Sequence, residues 1–186
     1  MDFLLLILKL IDANAEAYTG AKRFFSHGLV RMINNENGLP TPWNYKLQEW
    51  AVSDDKFDVS LYHRFDTTSF EKIQGRGGSV FYKETLNMRM VAFGKRNELD
   101  YSEYVFQQRL AQAVTLIGAK IENLNTFSSE VVSGATNSIE VYNAELPGLE
   151  IHGFDELMAI SLSYNINLQY DPKCLNLCQP KPAICV

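Results

Sequence analysis

The sequence predicts an α+β fold: a mixed, mainly antiparallel sheet with helices packed on one face, followed by an extended C-terminal arm. Three observations carry this expectation. Residues 158–170 alternate strictly between large apolar side chains (Met158, Ile160, Leu162, Tyr164, Ile166, Leu168, Tyr170) and small or amide ones (Ala159, Ser161, Ser163, Asn165, Asn167, Gln169). A period of two places the two sets on opposite faces of a strand. Phe106, Leu110, Ala113, Val114, Ile117, Ile121 and Leu124 instead recur at helical spacing, one apolar stripe wide enough to lie on a sheet. Shorter period-two runs at 57–65 and 86–93 supply further strands for that helix to cover. Residues 1–172 form the single α+β domain, and residues 173–186 form the arm.

From the beginning, Asp2 precedes the apolar run Phe3–Leu8, and Ala13, Ala15 and Ala17 support a helix continuing towards Tyr18. The run is too short to span a bilayer and lacks the basic flank of a secretory signal, so it reads as the buried face of that first helix. Gly20 weakens the helix. A second helical piece is expected over 21–33, from Phe24, Phe25, Leu29, Met32 and Ile33. Asn34–Gly38 has turn chemistry, and Pro40 and Pro42 force extended backbone. Trp43, Tyr45, Leu47 and Trp50 then form an aromatic and apolar cluster. In the run 57–65, His63 falls on the apolar face. Gly75–Gly78 reads as a loop, without the Lys-Ser/Thr of a phosphate-binding loop. The strand 86–93 is partly apolar on its second face, which predicts a central position.

Asp100, three residues before Glu103, is expected to open the long helix as a capping box, with Leu99 and Tyr104 stapled across it. Residues 127–138 read as irregular or edge-like, and 139–146 as another strand. Pro147-Gly148 turns the chain towards residues 158–170. At about 3.3 Å per residue that last strand is roughly 43 Å long, about twice the usual length. The arm, with Pro180 and Pro182, shows no clear period.

Composition narrows the function classes. The net charge of −5 argues against a protein dominated by phosphate-backbone binding. The three cysteines, Cys174, Cys178 and Cys185, all lie in the arm, which does not fit a secreted disulfide framework and points to a reduced, intracellular origin. A zinc site built from them with His152 would lack a paired Cys-x2-Cys, so free thiols are the expected state. Asp54-Asp55 and Asp155-Glu156 point in opposite directions in extended chain, so neither pair makes an acid/base couple. No serine or cysteine stands in a nucleophile motif with a histidine and an acid. The sequence therefore predicts no catalytic residue, no metal and no cofactor. The alternative is a small α+β enzyme or ligand-binding module that uses the Trp43/Trp50 cluster and His63.

The order of elements resembles the phage tail-terminator and head-to-tail neck (connector) proteins. Leu86–Phe93 leading into Asp100–Leu110, together with the strand Ile160–Tyr170, carries the resemblance over less than half of the chain. The resemblance implies a structural virion protein, assembled in the host cytoplasm, whose subunits close into a ring of six or twelve copies. Its partners would be neighbouring portal, neck or tail proteins, with DNA passing through and no sequence-specific binding. On that reading Ser161, Ser163, Asn165, Asn167 and Gln169 form a neutral stripe suited to a channel that must not grip phosphates, and Cys174 and Cys178 are further interface candidates.

Overall fold

The structure is a computed structural model that describes residues 2–51, 56–74, 80–117, 127–135, 137–147 and 156–170. It has the expected α+β architecture. The elements in chain order are α1 (Asp2–Thr19), β1 (Phe24–Asn34), β2 (Pro40–Asn44), β3 (Glu49–Trp50), β4 (Val59–Gln74), β5 (Val80–Lys95), α2 (Glu103–Thr115), β6 (Phe127–Ala135), α3 (Ser138–Glu145) and β7 (Leu157–Tyr170). The strands form one sheet in the order β3-β2-β1-β4-β5-β7-β6. Among the described residues only the β1–β4 pairing is parallel, and the other pairings are antiparallel.

The alternation of residues 158–170 does what its period requires. Met158, Ile160, Leu162, Tyr164, Ile166 and Leu168 are all buried, and they meet α1 and α2 in the larger core. From α1 come Ile7, Leu8, Ile11 and Ala15, and from α2 Phe106, Leu110, Ala113 and Val114. β5 is central as expected: Leu86, Met88, Met90 and Ala92 face the two long helices, while Val91 and Phe93 are buried on the reverse. There the short helix α3 lays Val141 and Tyr142 over Val91, Phe93 and Ala159, making a smaller second core.

The two long helices are tied together at α1's C-terminus, where backbone carbonyls lack helical partners. The Tyr101 hydroxyl and the Arg109 guanidinium both donate to the Thr19 carbonyl, at 2.9 and 3.2 Å. The Arg109 guanidinium also lies 4.1 Å from the centre of the Tyr101 ring. A cation at this end of a helix is electrostatically favoured. Asn14 on α1 adds a hydrogen bond to the Ala113 carbonyl of α2 at 3.2 Å.

Several expectations are corrected. Residues 21–33 are not a helix: Phe24–Asn34 is strand β1. Gly28 there has φ +66°, a left-handed conformation that a right-handed helix cannot hold, and the register against β4 shifts between Ser26 and Leu29. Residues 139–146 are not a strand: Ser138–Glu145 is helix α3. The Asn137 side chain caps it by accepting from the Glu140 N–H at 3.4 Å, and Val141, Tyr142, Glu145 and Leu146 share its buried face. The cap of α2 is Ser102, which accepts from the Val105 N–H at 3.5 Å, rather than Asp100. No staple forms across that start, because Leu99 is buried while Tyr104 is exposed. Leu99 lies instead over Gly94, where an added Cβ would come within 2.7 Å of it. α2 ends at Thr115; Ile117 is buried beyond it, and Ile121 and Leu124 lie outside the described residues.

Where β1 and β4 begin, Arg23 and Asp58 bind each other reciprocally. The Arg23 backbone N–H and Nε donate to the Asp58 carboxylate at 3.0 and 2.8 Å, and the Asp58 N–H donates to the Arg23 carbonyl at 2.8 Å. Burial alone would raise the Asp58 pKa, but these hydrogen bonds and the Arg23 charge outweigh it and hold it below its ordinary value of 3.8. A lowered carboxylate pKa stabilises the fold fully above that ordinary value, and the contribution is lost as pH falls through the folded-state value. Asp58→Asn should therefore lower stability at neutral pH and flatten its dependence on pH below about 4. Urea midpoints measured between pH 2 and 7 would show this, and parallel curves for parent and variant would contradict it.

Candidate functional site

The neutral stripe of β7 belongs to a broader polar surface on the sheet face opposite α1 and α2. Ser161, Ser163, Asn165 and Asn167 are half-buried there and Gln169 is exposed. On β5 the residues opposite them are Val91, Arg89, Asn87, Thr85 and Lys83. On β4, Thr67, Ser69 and Glu71 stand opposite Asn87, Thr85 and Lys83. On β6, Ser128, Glu130 and Ser133 stand opposite Asn167, Asn165 and Ser163. The surface thus crosses four strands.

Side chains on this face bond across the strands. The Asn87 amide donates to Thr67 Oγ1 at 2.7 Å, Thr85 Oγ1 donates to the Asn167 amide oxygen at 2.9 Å, and the Asn165 amide donates to Glu130 Oε1 at 3.2 Å. Such neighbouring pairs are the units that stabilise a sheet surface. They also leave a face rich in neutral donors and acceptors, among which Arg89, Lys83, Glu71 and Glu130 bring charges of both signs.

At one end the surface closes against α3 through an ion cluster. Glu145, the last residue of α3, is buried and accepts from Arg64 at 2.8 Å, Arg89 at 3.2 Å and the Tyr62 hydroxyl at 3.3 Å. Asp66 binds the same two arginines, at 3.0 Å from Arg64 and 3.2 Å from Arg89. Two cations and two anions therefore cancel. A β-bulge between Phe65 and Thr67 sets Asp66 beside both guanidiniums. Burial, followed by the Glu145 charge, pushes the Tyr62 pKa well above 10, so its hydroxyl stays a donor. Sequence reasoning missed this cluster because Glu145 lies 56 to 83 residues along the chain from Arg89, Arg64 and Tyr62.

His63 is fully buried. Its Nε2 lies 2.7 Å from Asp12 Oδ1 and its Nδ1 lies 2.9 Å from the Tyr164 hydroxyl. Ser26 Oγ donates to the other Asp12 oxygen at 2.8 Å. Both imidazole nitrogens are thus engaged within the larger core, between α1, β4 and β7. Trp43 and Trp50 pair edge-to-face across β2 and β3, with centroids 4.7 Å apart. They are partly buried and contact each other, on elements separate from those that hold His63. Cys174, Cys178, His152, Asp155 and the loop Gly75–Gly78 lie outside the described residues. Among the described residues no group of three or more His, Cys, Asp or Glu side chains could hold a metal ion, and no helix is long and apolar enough to cross a membrane.

Compared with known proteins, the sequence matches no family model and none of the curated proteins.

Proposed function

We propose that this chain is a structural subunit of a phage tail or head-to-tail neck, assembling into a ring of six or twelve copies whose DNA passage is bordered by the polar face of β4, β5, β7 and β6. One observation carries the reading: the hydrogen-bonded Thr, Ser and Asn face that spans four strands, opposite α1 and α2, with the charges at its α3 end cancelling. Phosphate contacts by lysine and arginine retard a passing duplex, and a dense carboxylate row repels it. On this face neutral donors and acceptors separate single charges of both signs, with Lys83 opposite Glu71 and Glu130 opposite Asn165, so neither a lysine track nor a carboxylate row forms.

The test is the size and shape of the purified particle. Light scattering coupled to size-exclusion chromatography should give six or twelve copies, alone or once the neighbouring tail proteins are added. An electron-microscopy map of that particle should place Ser163, Asn165 and Asn167 at the channel or at a subunit boundary. A protein that stays monomeric or dimeric in both settings, or a ring with these three side chains sealed inside one subunit, contradicts the proposal.

A further inference from the structure

We propose that residues Cys174–Cys178 of a neighbouring copy add as a strand to the outer edge of β4, with Leu175 and Leu177 on the side of Phe70 and both cysteines on the side of Ser69. The inference rests on the ring-subunit reading above and names the contact that would join neighbours.

β1 and β4 run together only as far as the Val30–Arg64 pair. β1 then pairs with β2, and the two strands diverge around an open groove of about 580 Å³ whose walls include Leu29, Met32 and Phe65. From Phe65 to Gln74, β4 pairs with β5 on one side, and among the described residues no strand pairs with the other. That edge is about ten residues of backbone donors and acceptors ready to template another strand. The core reaches level with Thr68 through Leu86 on β5 and level with Phe70 through Leu168 on β7, and the edge runs past it from Glu71 to Gln74. Every residue from Phe65 to Lys72 is exposed, Phe70 at 68%. No proline lies on this edge to block pairing, and Glu71 and Lys72 bring opposite charges to opposite faces.

The place where the described chain ends argues for the occupant. Tyr170 pairs with Tyr82, and Tyr82 pairs with Lys72, so β7 runs out at the tip of this same projecting arm. The sequence continues from Asp171 to Val186. Extended, the four residues from Tyr170 to Cys174 reach roughly 13 Å and the eight to Cys178 roughly 27 Å, so the segment can lie along a neighbour whose β4 edge abuts this tip. Within it, Cys174-Leu-Asn-Leu-Cys178 alternates with period two. Its leucines would cover the exposed Phe70 ring. Its cysteines and Asn176 would continue the uncharged stripe of Thr67 and Ser69 onto the neighbour.

Because all three cysteines lie in residues 174–185, one introduced cysteine reports the contact cleanly. The full-length Ser69→Cys protein would be assembled and mildly oxidised with copper phenanthroline. A disulfide between position 69 and Cys174 or Cys178 of another copy should form, seen as covalent dimers and as the cross-linked peptide by mass spectrometry. Its yield should exceed that of Lys9→Cys, on the exposed face of α1, by roughly tenfold, since a disulfide requires Cβ atoms about 4 Å apart. Phe70→Cys, on the opposite face of the strand, should cross-link far less than Ser69→Cys. Chromatography of the same samples reports separately whether rings form. Rings without the 69-to-tail disulfide overturn this contact while leaving the ring reading in place. A disulfide confined to one chain, or equal yields at positions 69 and 70, overturns it as well. A protein that never assembles removes the ring reading and this contact together.

Discussion

Leu110→Asp should abolish stable folding. Leu110 is fully buried near the middle of α2, in the core shared with α1 and β7. The substitution removes a packed side chain and puts an unpaired carboxylate in its place. Losing the leucine alone costs about 2–5 kcal/mol in well-packed cores. The carboxylate adds either the penalty of a buried charge or the cost of protonation at neutral pH. Together these approach the whole stability of an ordinary domain, about 5–15 kcal/mol. Tyr104→Asp, on the exposed side of the same helix, should change stability by no more than about 0.5 kcal/mol. Urea unfolding followed by circular dichroism compares the two. A Leu110→Asp protein with the parent's midpoint would show that α2 does not cover the sheet.

The second large effect is expected at His63. His63→Leu removes the imidazole that bridges Asp12 and Tyr164, leaving a carboxylate oxygen and a hydroxyl in the core without that partner. Burial, with Asp12 adding to it, pushes the Tyr164 pKa well above 10, so the hydroxyl remains protonated and needs an acceptor. Leaving buried polar groups unpaired costs about 1–3 kcal/mol each, and more for a charged one, so a loss of roughly 3 kcal/mol is expected. A triple variant, Asp12→Leu/His63→Leu/Tyr164→Phe, separates the causes. If the loss comes from orphaned partners, replacing all three by apolar groups should recover much of it. Were the triple variant less stable than His63→Leu, the bridge itself would be contributing net stability. If His63→Leu cost nothing, the bridge would not be structural, and the reading of His63 as a reactive group would gain ground.

Much of the fold was legible because some local patterns admit one interpretation. Thirteen residues of strict alternation, 158–170, fit a strand and scatter around any helix. The stripe from Phe106 to Ile117 fits a helix, and its members are buried as the period demands. A strand at 86–93 with apolar residues on both faces belongs in a sheet centre, and β5 lies there. The candidate site was legible in part: the neutral stripe of β7 is a consequence of that same alternation.

Short segments were misread because their apolar residues satisfy two periods at once. Residues 139–146 alternate well enough for a strand, yet Val141, Tyr142, Glu145 and Leu146 also share a helical face. The cap on Asn137 and the buried pairing of Glu145 with Arg64 and Arg89 favour the helix. Asn137 followed by Glu140 was a capping signal in the sequence, and it was missed. Over 24–34, backbone pairing with β2 on one side and β4 on the other outweighed a weak helical spacing, with Gly28 accommodating the break in register.

The sequence by itself determined the elements whose local pattern is unambiguous, α1, α2, β5 and β7, and with them the α+β class and the uncharged face of β7. Tertiary structure alone decided the parallel β1–β4 pairing, the face given to α3, the enclosure of His63 between Asp12 and Tyr164, and the assembly of Arg64, Asp66, Arg89 and Glu145 into one cluster. The physical reason is range. Backbone periodicity is set by neighbours a few residues apart, whereas a buried charge or imidazole is tolerated only where distant segments bring it a partner. Those partners are chosen by the order of strands in the sheet, which no local pattern in this chain records.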